Sequence, residues 1–227
     1  MIELDFWETK EYPRVVIDGI RHYDIDGNHY PSVTQVTSYY GKDKLNSWRK
    51  RVGEAEAQKI CDVASANGTY IHYLAEQYIL GNEIDHKEST LLQKLIFGKF
   101  KSSLDNISSV YLLENTLYSH KLKLAGTVDC VGIYAGKLSV IDFKTAKSEK
   151  PIEWIENYFV QTNLYANMIW EMYHIKIQQV VILFACSDLT TPIVIKKIDK
   201  NLLELTKKYY YHYKTSHEQK STGCIVK

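Results

Sequence analysis

Cysteine is sparse and unpaired in this sequence. Cys61, Cys130, Cys186 and Cys224 stand far apart with no C-x-x-C spacing, which excludes a zinc knuckle and a clustered iron–sulfur run. Four free thiols in a reducing compartment are expected. Excess charge is also missing: 28 Lys and Arg against 27 Asp and Glu leave a formal net charge of +1. Any attraction to phosphate must therefore come from local patches rather than the global field. Long apolar runs are absent too, and the stretch from Val180 to Cys186 is far too short to cross a bilayer. The opening Met1-Ile-Glu-Leu-Asp-Phe-Trp-Glu is acidic and shows no signal or transit pattern. Gly132-Ile-Tyr-Ala-Gly136-Lys137 has one residue too few between its glycines for a phosphate-binding loop and is followed by Leu138. No internal repeat or low-complexity segment stands out.

What is present is an ordinary globular composition, 45% hydrophobic and 24% charged over 227 residues, long enough for a real core. A single domain over 1–227 is expected, with a β-rich lead-in at 1–41, a helical region carrying His72 at 42–106, a sheet core at 107–200 and a C-terminal helix and tail at 201–227.

Residues 14–36 read as short strands, with turns at Asp18-Gly19 and Asp26-Gly27-Asn28. Helical patterning begins after Gly41. Over 43–80, Leu45, Trp48, Val52, Ala55 and Ile60 are spaced for one apolar face, Gly53 marks a break, and a new helix is expected near Asn67-Gly68-Thr69. Residues 86–106 form a further amphipathic helix, and 109–119 alternate as a strand. Pro151 opens a helix running to about 173. Two more strands cover 179–186 and 193–198, Asn201 caps a last helix to about 216, and Lys220 onward reads as a tail. The order predicts an α/β (α+β) fold: a mixed central β-sheet flanked by helices, with an N-terminal β-hairpin and a helical region.

The chemistry concentrates in two segments, 127–134 and 138–144, joined by Ala135-Gly136-Lys137, a β-hairpin signal. Asp129 lies on the first strand, Asp142 and Lys144 on the second. Side chains alternate along a strand, so Asp142 and Lys144 share a face while Phe143 enters the opposite layer. Two carboxylates and an ammonium suit metal-assisted phosphodiester hydrolysis: hard cations take oxygen ligands, and a lysine stabilises developing negative charge. An isolated D-x-K is more commonly a solvated strand end.

Other candidates are weaker alone. His72 and Glu76 fall at i and i+4 on one helical face, a spacing equally suited to a structural hydrogen bond. Glu114 sits inside the strand that leads into the hairpin. Gln161 and Tyr165 are again i and i+4. Trp48-Arg49-Lys50-Arg51 could touch a nucleic-acid backbone or be a solvated helix face around a core tryptophan. Lys147 lies in a basic loop after Lys144.

Gly68-Thr-Tyr-Ile-His72, Gly126-Thr-Val-Asp129, Ile141-Asp142-Phe-Lys144-Thr and Gln161-x-x-x-Tyr165, in that order, resemble the RecB-like branch of the PD-(D/E)xK nuclease superfamily. Within it the chain is most similar to mitochondrial genome maintenance exonucleases and related phage exonucleases. The resemblance implies a restriction-endonuclease-like core and a site of His72, Asp129, Asp142 and Lys144, with Gln161 and Tyr165 shaping it and holding DNA. His72, Asp129, Asp142 and Glu114 are the expected ligands of Mg²⁺ or Mn²⁺. Trp48, Arg49, Arg51 and Lys147 are expected DNA contacts, and Tyr39, Tyr40, Tyr70 and Tyr73 are candidates to stack bases.

Asp129 follows Val128 where this branch usually carries Pro, and the cysteines do not match the iron–sulfur cluster of some relatives. The expected activity is a metal-dependent DNA exonuclease acting on single strands or strand ends in replication, repair or recombination. The alternatives are a structure-specific endonuclease on the same site and a non-catalytic DNA-binding module. Expected partners are DNA and replication or recombination proteins, with no membrane, and the expected compartment is the cytoplasm of a bacterial or phage-infected cell.

Overall fold

A computed structural model describes residues 2–84, 87 and 89–222. Its centre is a six-stranded mixed sheet in the order β1-β5-β6-β7-β8-β9. The strands are β1 (Glu3–Leu4), β5 (Ile107–Ser119), β6 (Leu124–Tyr134), β7 (Lys137–Ala146), β8 (Gln179–Cys186) and β9 (Ile193–Lys197). β6 is antiparallel to both β5 and β7, β8 runs parallel to β7, and β9 closes the edge antiparallel to β8. The parallel β7–β8 pair requires a crossover, supplied by α4 (Glu156–Tyr173).

β6 and β7 form the expected hairpin. Ala135 and Gly136 both adopt positive φ, 48° and 76°, the geometry of a tight turn whose twist matches the flanking strands. Every residue of β8 is buried, as expected of a strand covered on both faces. Val180, Ile182 and Phe184 join a core shared with α4, α1 (Val33–Val52) and α5 (Lys200–Thr222). Val181, Leu183 and Ala185 join a second core under α2 (Glu54–Ile79) and α3 (Leu91–Leu104). A separate antiparallel sheet of β2 (Arg14–Ile17), β3 (Ile20–Ile25) and β4 (Asn28–Pro31) stands where a hairpin was expected.

Several boundaries differ from the sequence expectation. The β-branched run Val33-Thr-Gln-Val-Thr is helix rather than strand, because Ser32 caps α1 through the Thr34 N–H and Val33 and Val36 are buried. Gly41 lies inside α1, while Gly53, at φ 92°, does separate α1 from α2. No helix begins at Asn67, since α2 runs unbroken from Glu54 to Ile79. α3 starts after a Thr90/Gln93 capping box, and the expected start at His86 lies outside the described residues. Pro151 precedes a short 3-10 turn (Ile152–Trp154) rather than α4 itself. At α5 the Leu202 N–H is taken by Asp199 Oδ1, not by Asn201. Helix continues to Thr222 where a tail was expected, and 223–227 lie outside the described residues. No helix is long and apolar enough to cross a membrane among the described residues.

Candidate active site

The β6–β7 ladder is regular from Tyr134 opposite Lys137 to Cys130 opposite Ile141, and there it stops. Beyond that point the Asp129 carboxylate replaces a cross-strand carbonyl, with Oδ2 accepting the Phe143 N–H at 2.7 Å. The Phe143 carbonyl faces His72, whose Nε2 lies 2.8 Å away. A carbonyl only accepts, so Nε2 carries the proton and Nδ1 is turned to the other side. Nδ1 stands 3.6 Å from both Glu114 Oε1 and Asp129 Oδ1, beyond hydrogen-bond range.

Glu114 comes from β5, where the register places it opposite Asp129, between Leu113–Cys130 and Asn115–Val128. Its φ is 52°, a left-handed conformation that costs a non-glycine residue about 1–3 kcal/mol and clusters at functional sites. The ligand atoms of His72, Glu114 and Asp129 all lie within 4.8 Å of one another. Glu114 Oε1 is buried with no hydrogen-bond partner, only the His72 ring at 3.6 Å, an acceptor that a bound cation would satisfy. An imidazole oriented by a backbone carbonyl beside two carboxylates fits a hard divalent cation. These three side chains could hold one.

The other half of the constellation lies on β7. Phe143 packs in the α2–α3 core and Val140 on the α4 side. Asp142 and Lys144 emerge toward α4, as alternation requires. Lys144 Nζ is 2.5 Å from Asp142 Oδ2, a close buried ion pair. Gln161 Nε2 donates to Asp142 Oδ1 at 3.0 Å, and the Lys144 ammonium lies 5.1 Å from the Tyr158 ring centre. Tyr165, buried on α4, covers Gly126 so closely that a Cβ there would sit 2.8 Å from its hydroxyl. That contact explains the glycine.

Burial would lower the His72 pKa, but Glu114 and then Asp129 outweigh it and push it up to about 9. Burial raises Asp129 against the pull of His72 and Lys144. Burial likewise pushes Asp142 up to about 6, with Lys144 opposing. Lys144, which burial would lower, is held above its ordinary value by Asp142 and Asp129. The two partners thus shift in the same direction, and with an ammonium and an amide on its two oxygens Asp142 is the charged member of an ion pair at neutral pH.

The structure therefore brings together His72, Glu114, Asp129, Asp142, Lys144, Gln161 and Tyr165. Asp142 falls outside the 4.8 Å triad, its oxygens turned to Lys144 and Gln161. Arg14, Arg21, Gly68, Thr69, His72, Tyr73, Glu76 and Glu114 line a cavity of about 530 Å³ at this site. Trp48, Arg49 and Arg51 are not among them. They sit at the C-terminal end of α1, where Arg49 binds Glu54 and Gln58. Lys147 lines a different cavity of about 540 Å³ with Lys59 and Lys150.

Of the four candidate stacking tyrosines, Tyr73 alone lines the site cavity. Tyr40 stacks on Tyr209 with ring centres 4.0 Å apart, Tyr39 packs edge-on to His212, and Tyr70 bonds Ser89. Arg14 and Arg21 escaped the sequence reading because only the folded small sheet carries them to His72.

No protein-family model matches the chain. Human (Homo sapiens) mitochondrial genome maintenance exonuclease 1 is 30% identical over 141 residues, covering 58% of this chain and 40% of that protein. The mouse (Mus musculus) protein of the same name is 28% identical over 139 residues, covering 55% and 39%. The Xenopus tropicalis one is 30% identical over 119 residues, covering 51% and 34%. The match thus spans about two fifths or less of these curated relatives. A solved structure of a candidate exonuclease from Eubacterium rectale overlaps 65% of this chain and 63% of its own, with a TM-score of 0.46 and 14% identity.

Proposed function

We propose that this chain is a DNA exonuclease that hydrolyses phosphodiester bonds with a bound Mg²⁺ or Mn²⁺. The observation that carries the reading is the opened end of the β6–β7 hairpin. There an orphaned Glu114 oxygen, Asp129 and a carbonyl-oriented His72 converge beside the Lys144–Asp142 pair. Names of the partial relatives point the same way.

When bound, the cation supplies Lewis acidity toward the attacked phosphate and lowers the pKa of water. His72, Glu114 and Asp129 would hold it, and Asp142, paired with Lys144, adds a third carboxylate from the neighbouring strand. His72 keeps its Nε2 proton on the Phe143 carbonyl, so the proton that leaves to make way for the metal would come from Nδ1. Lys144, buried and kept charged by Asp142, presents a point charge to the oxygen that gains negative charge as the bond breaks. Gln161 fixes the Asp142 carboxylate, Tyr165 packs the strand under it, and Tyr73 offers a ring to a base. Single strands and free ends are the proposed substrates, in replication, repair or recombination.

The test uses end-labelled linear DNA and closed circles, single- and double-stranded, with Mg²⁺ or a chelator. Release of mononucleotides or short fragments from linear DNA, lost with chelator and absent from circles, is expected. Cleavage of circles would replace the exonuclease by an endonuclease on the same site, and salt-sensitive DNA binding without cleavage would leave only a binding module.

A further inference from the structure

The cavity at His72 and Glu114 has a cationic wall that the proposed chemistry does not use. Arg14 lies opposite Tyr23 and Val16 opposite Arg21 in the β2–β3 ladder, so both arginines leave the same face of the small sheet. Each guanidinium bonds a hydroxyl: Arg14 Nη2 donates to Thr127 Oγ1 at 2.7 Å, and Arg21 Nη2 to Thr34 Oγ1 at 3.1 Å. Among the described residues no carboxylate pairs with either. A guanidinium carries five N–H donors in a planar fork matched to phosphate, and one hydroxyl occupies one of them.

Their anchors place them with respect to the chemistry. Thr127 stands two residues before Asp129 on β6, about 7 Å along the strand. Thr34 is the second residue of α1, whose N-terminal end adds positive potential. The same cavity holds Glu76 and Glu114, so one wall is anionic and the other cationic. A cation on the first and a phosphate on the second would satisfy both.

We propose that Arg14 and Arg21 form a phosphate clamp that grips a backbone phosphodiester of the substrate strand next to the bond being cut. The inference rests on the nuclease reading and assigns these two side chains to positioning through uniform binding, not to the chemical step. The ligand chemistry is a phosphate diester, and a terminal phosphate monoester is the competing source.

The test compares Arg14→Gln, Arg21→Gln, the double variant and Arg14→Lys. Binding of labelled single-stranded DNA with Mg²⁺ is measured in an Asp142→Asn background across a salt series, and cleavage in the otherwise wild-type chain. Each glutamine variant is expected to bind about tenfold more weakly, and the slope of log K against log salt should fall by about 0.7 per lost phosphate contact. Arg14→Lys should keep the slope but not the full affinity. KM should rise with kcat unchanged, the signature of lost uniform binding. Both side chains are exposed, so melting temperatures should match wild type.

A single uncharged methylphosphonate walked along the strand should weaken the unsubstituted clamp at one internal linkage and leave the double variant indifferent there. Loss of that difference on removing a 5′- or 3′-phosphate instead would overturn the internal assignment. Unchanged affinity, slope and KM in the double variant, in a protein that still cuts DNA, would overturn the clamp alone. A wild-type chain that neither binds nor cuts DNA would overturn the nuclease reading and the clamp with it.

Discussion

The two ends of the β6–β7 hairpin are built from the same strands and do different things. At the turn end, from Tyr134 and Lys137 to Cys130 and Ile141, backbone pairs with backbone, and Cys130 and Ile141 are fully buried. At the other end the strands part, a carboxylate takes the place of a carbonyl at Phe143, and a histidine from α2 takes that residue's oxygen. The closed end satisfies its polar groups locally. The open end collects four acidic or imidazole groups, two of them, Glu114 and Asp142, with a buried oxygen that has no hydrogen-bond partner and one, Glu114, in a left-handed backbone conformation, and it is coherent once a cation and a phosphate are supplied.

The contrast breaks most sharply with Asp142→Asn. This change keeps shape and removes one charge of the Lys144 pair, and DNA cleavage should fall by about 10²–10³-fold in initial-rate assays while the fold is retained. An unaltered rate would detach the open end from the chemistry.

Metal is expected to stabilise the open end by about 2.7 kcal/mol at a hundredfold excess over Kd, seen as a higher melting temperature that Glu114→Gln and His72→Ala abolish. The pH dependence has two signs. In the metal-free protein the stabilisation from protonated His72 is complete below its ordinary pKa near 6.5 and is lost as pH rises through about 9. Metal must displace that proton, so the apparent Mn²⁺ affinity should rise about tenfold per pH unit on approach to pH 9 and then level off. Calorimetry in buffers of different ionisation enthalpy reads the released proton.

Gly126→Ala probes the contact between Tyr165 and β6. A Cβ would stand 2.8 Å from the Tyr165 hydroxyl, and overpacking of this kind costs about 1–3 kcal/mol, with a drop in cleavage because Tyr165 shares α4 with Gln161. The smallest effect is expected at the closed end. Ile141→Val should lower stability in denaturant melts by about 0.5–1.5 kcal/mol and leave the cleavage rate of the folded protein unchanged.

Local chemistry made part of this contrast legible from residue order. Ala135-Gly136 declared the turn, alternation put Asp142 and Lys144 on one face, and the apolar run at 179–186 declared the strand β8. What stayed hidden depends on contacts between distant segments. The Val33-Thr-Gln-Val-Thr run favours strand by its branching, and the Ser32 cap and burial of Val33 and Val36 override that preference. Asn67-Gly68 looks like a helix start, but one glycine in a 26-residue helix anchored by buried Ala57 on one side and by Ile71, Leu74, Ala75 and Ile79 on the other costs only about 1 kcal/mol. The left-handed turn of Glu114 has no sequence signature. Arg14 reaches Thr127 across a separation of 113 residues, and no local pattern encodes that.

A Mn²⁺ titration of the chelator-treated protein, followed by electron paramagnetic resonance, bears most directly on the open hairpin end. Saturable binding that disappears in Asp129→Asn and Glu114→Gln but persists in Ile141→Val is expected. Binding unaffected by the first two substitutions, or no binding by the wild-type chain at any pH up to 9, would contradict a metal-centred open end.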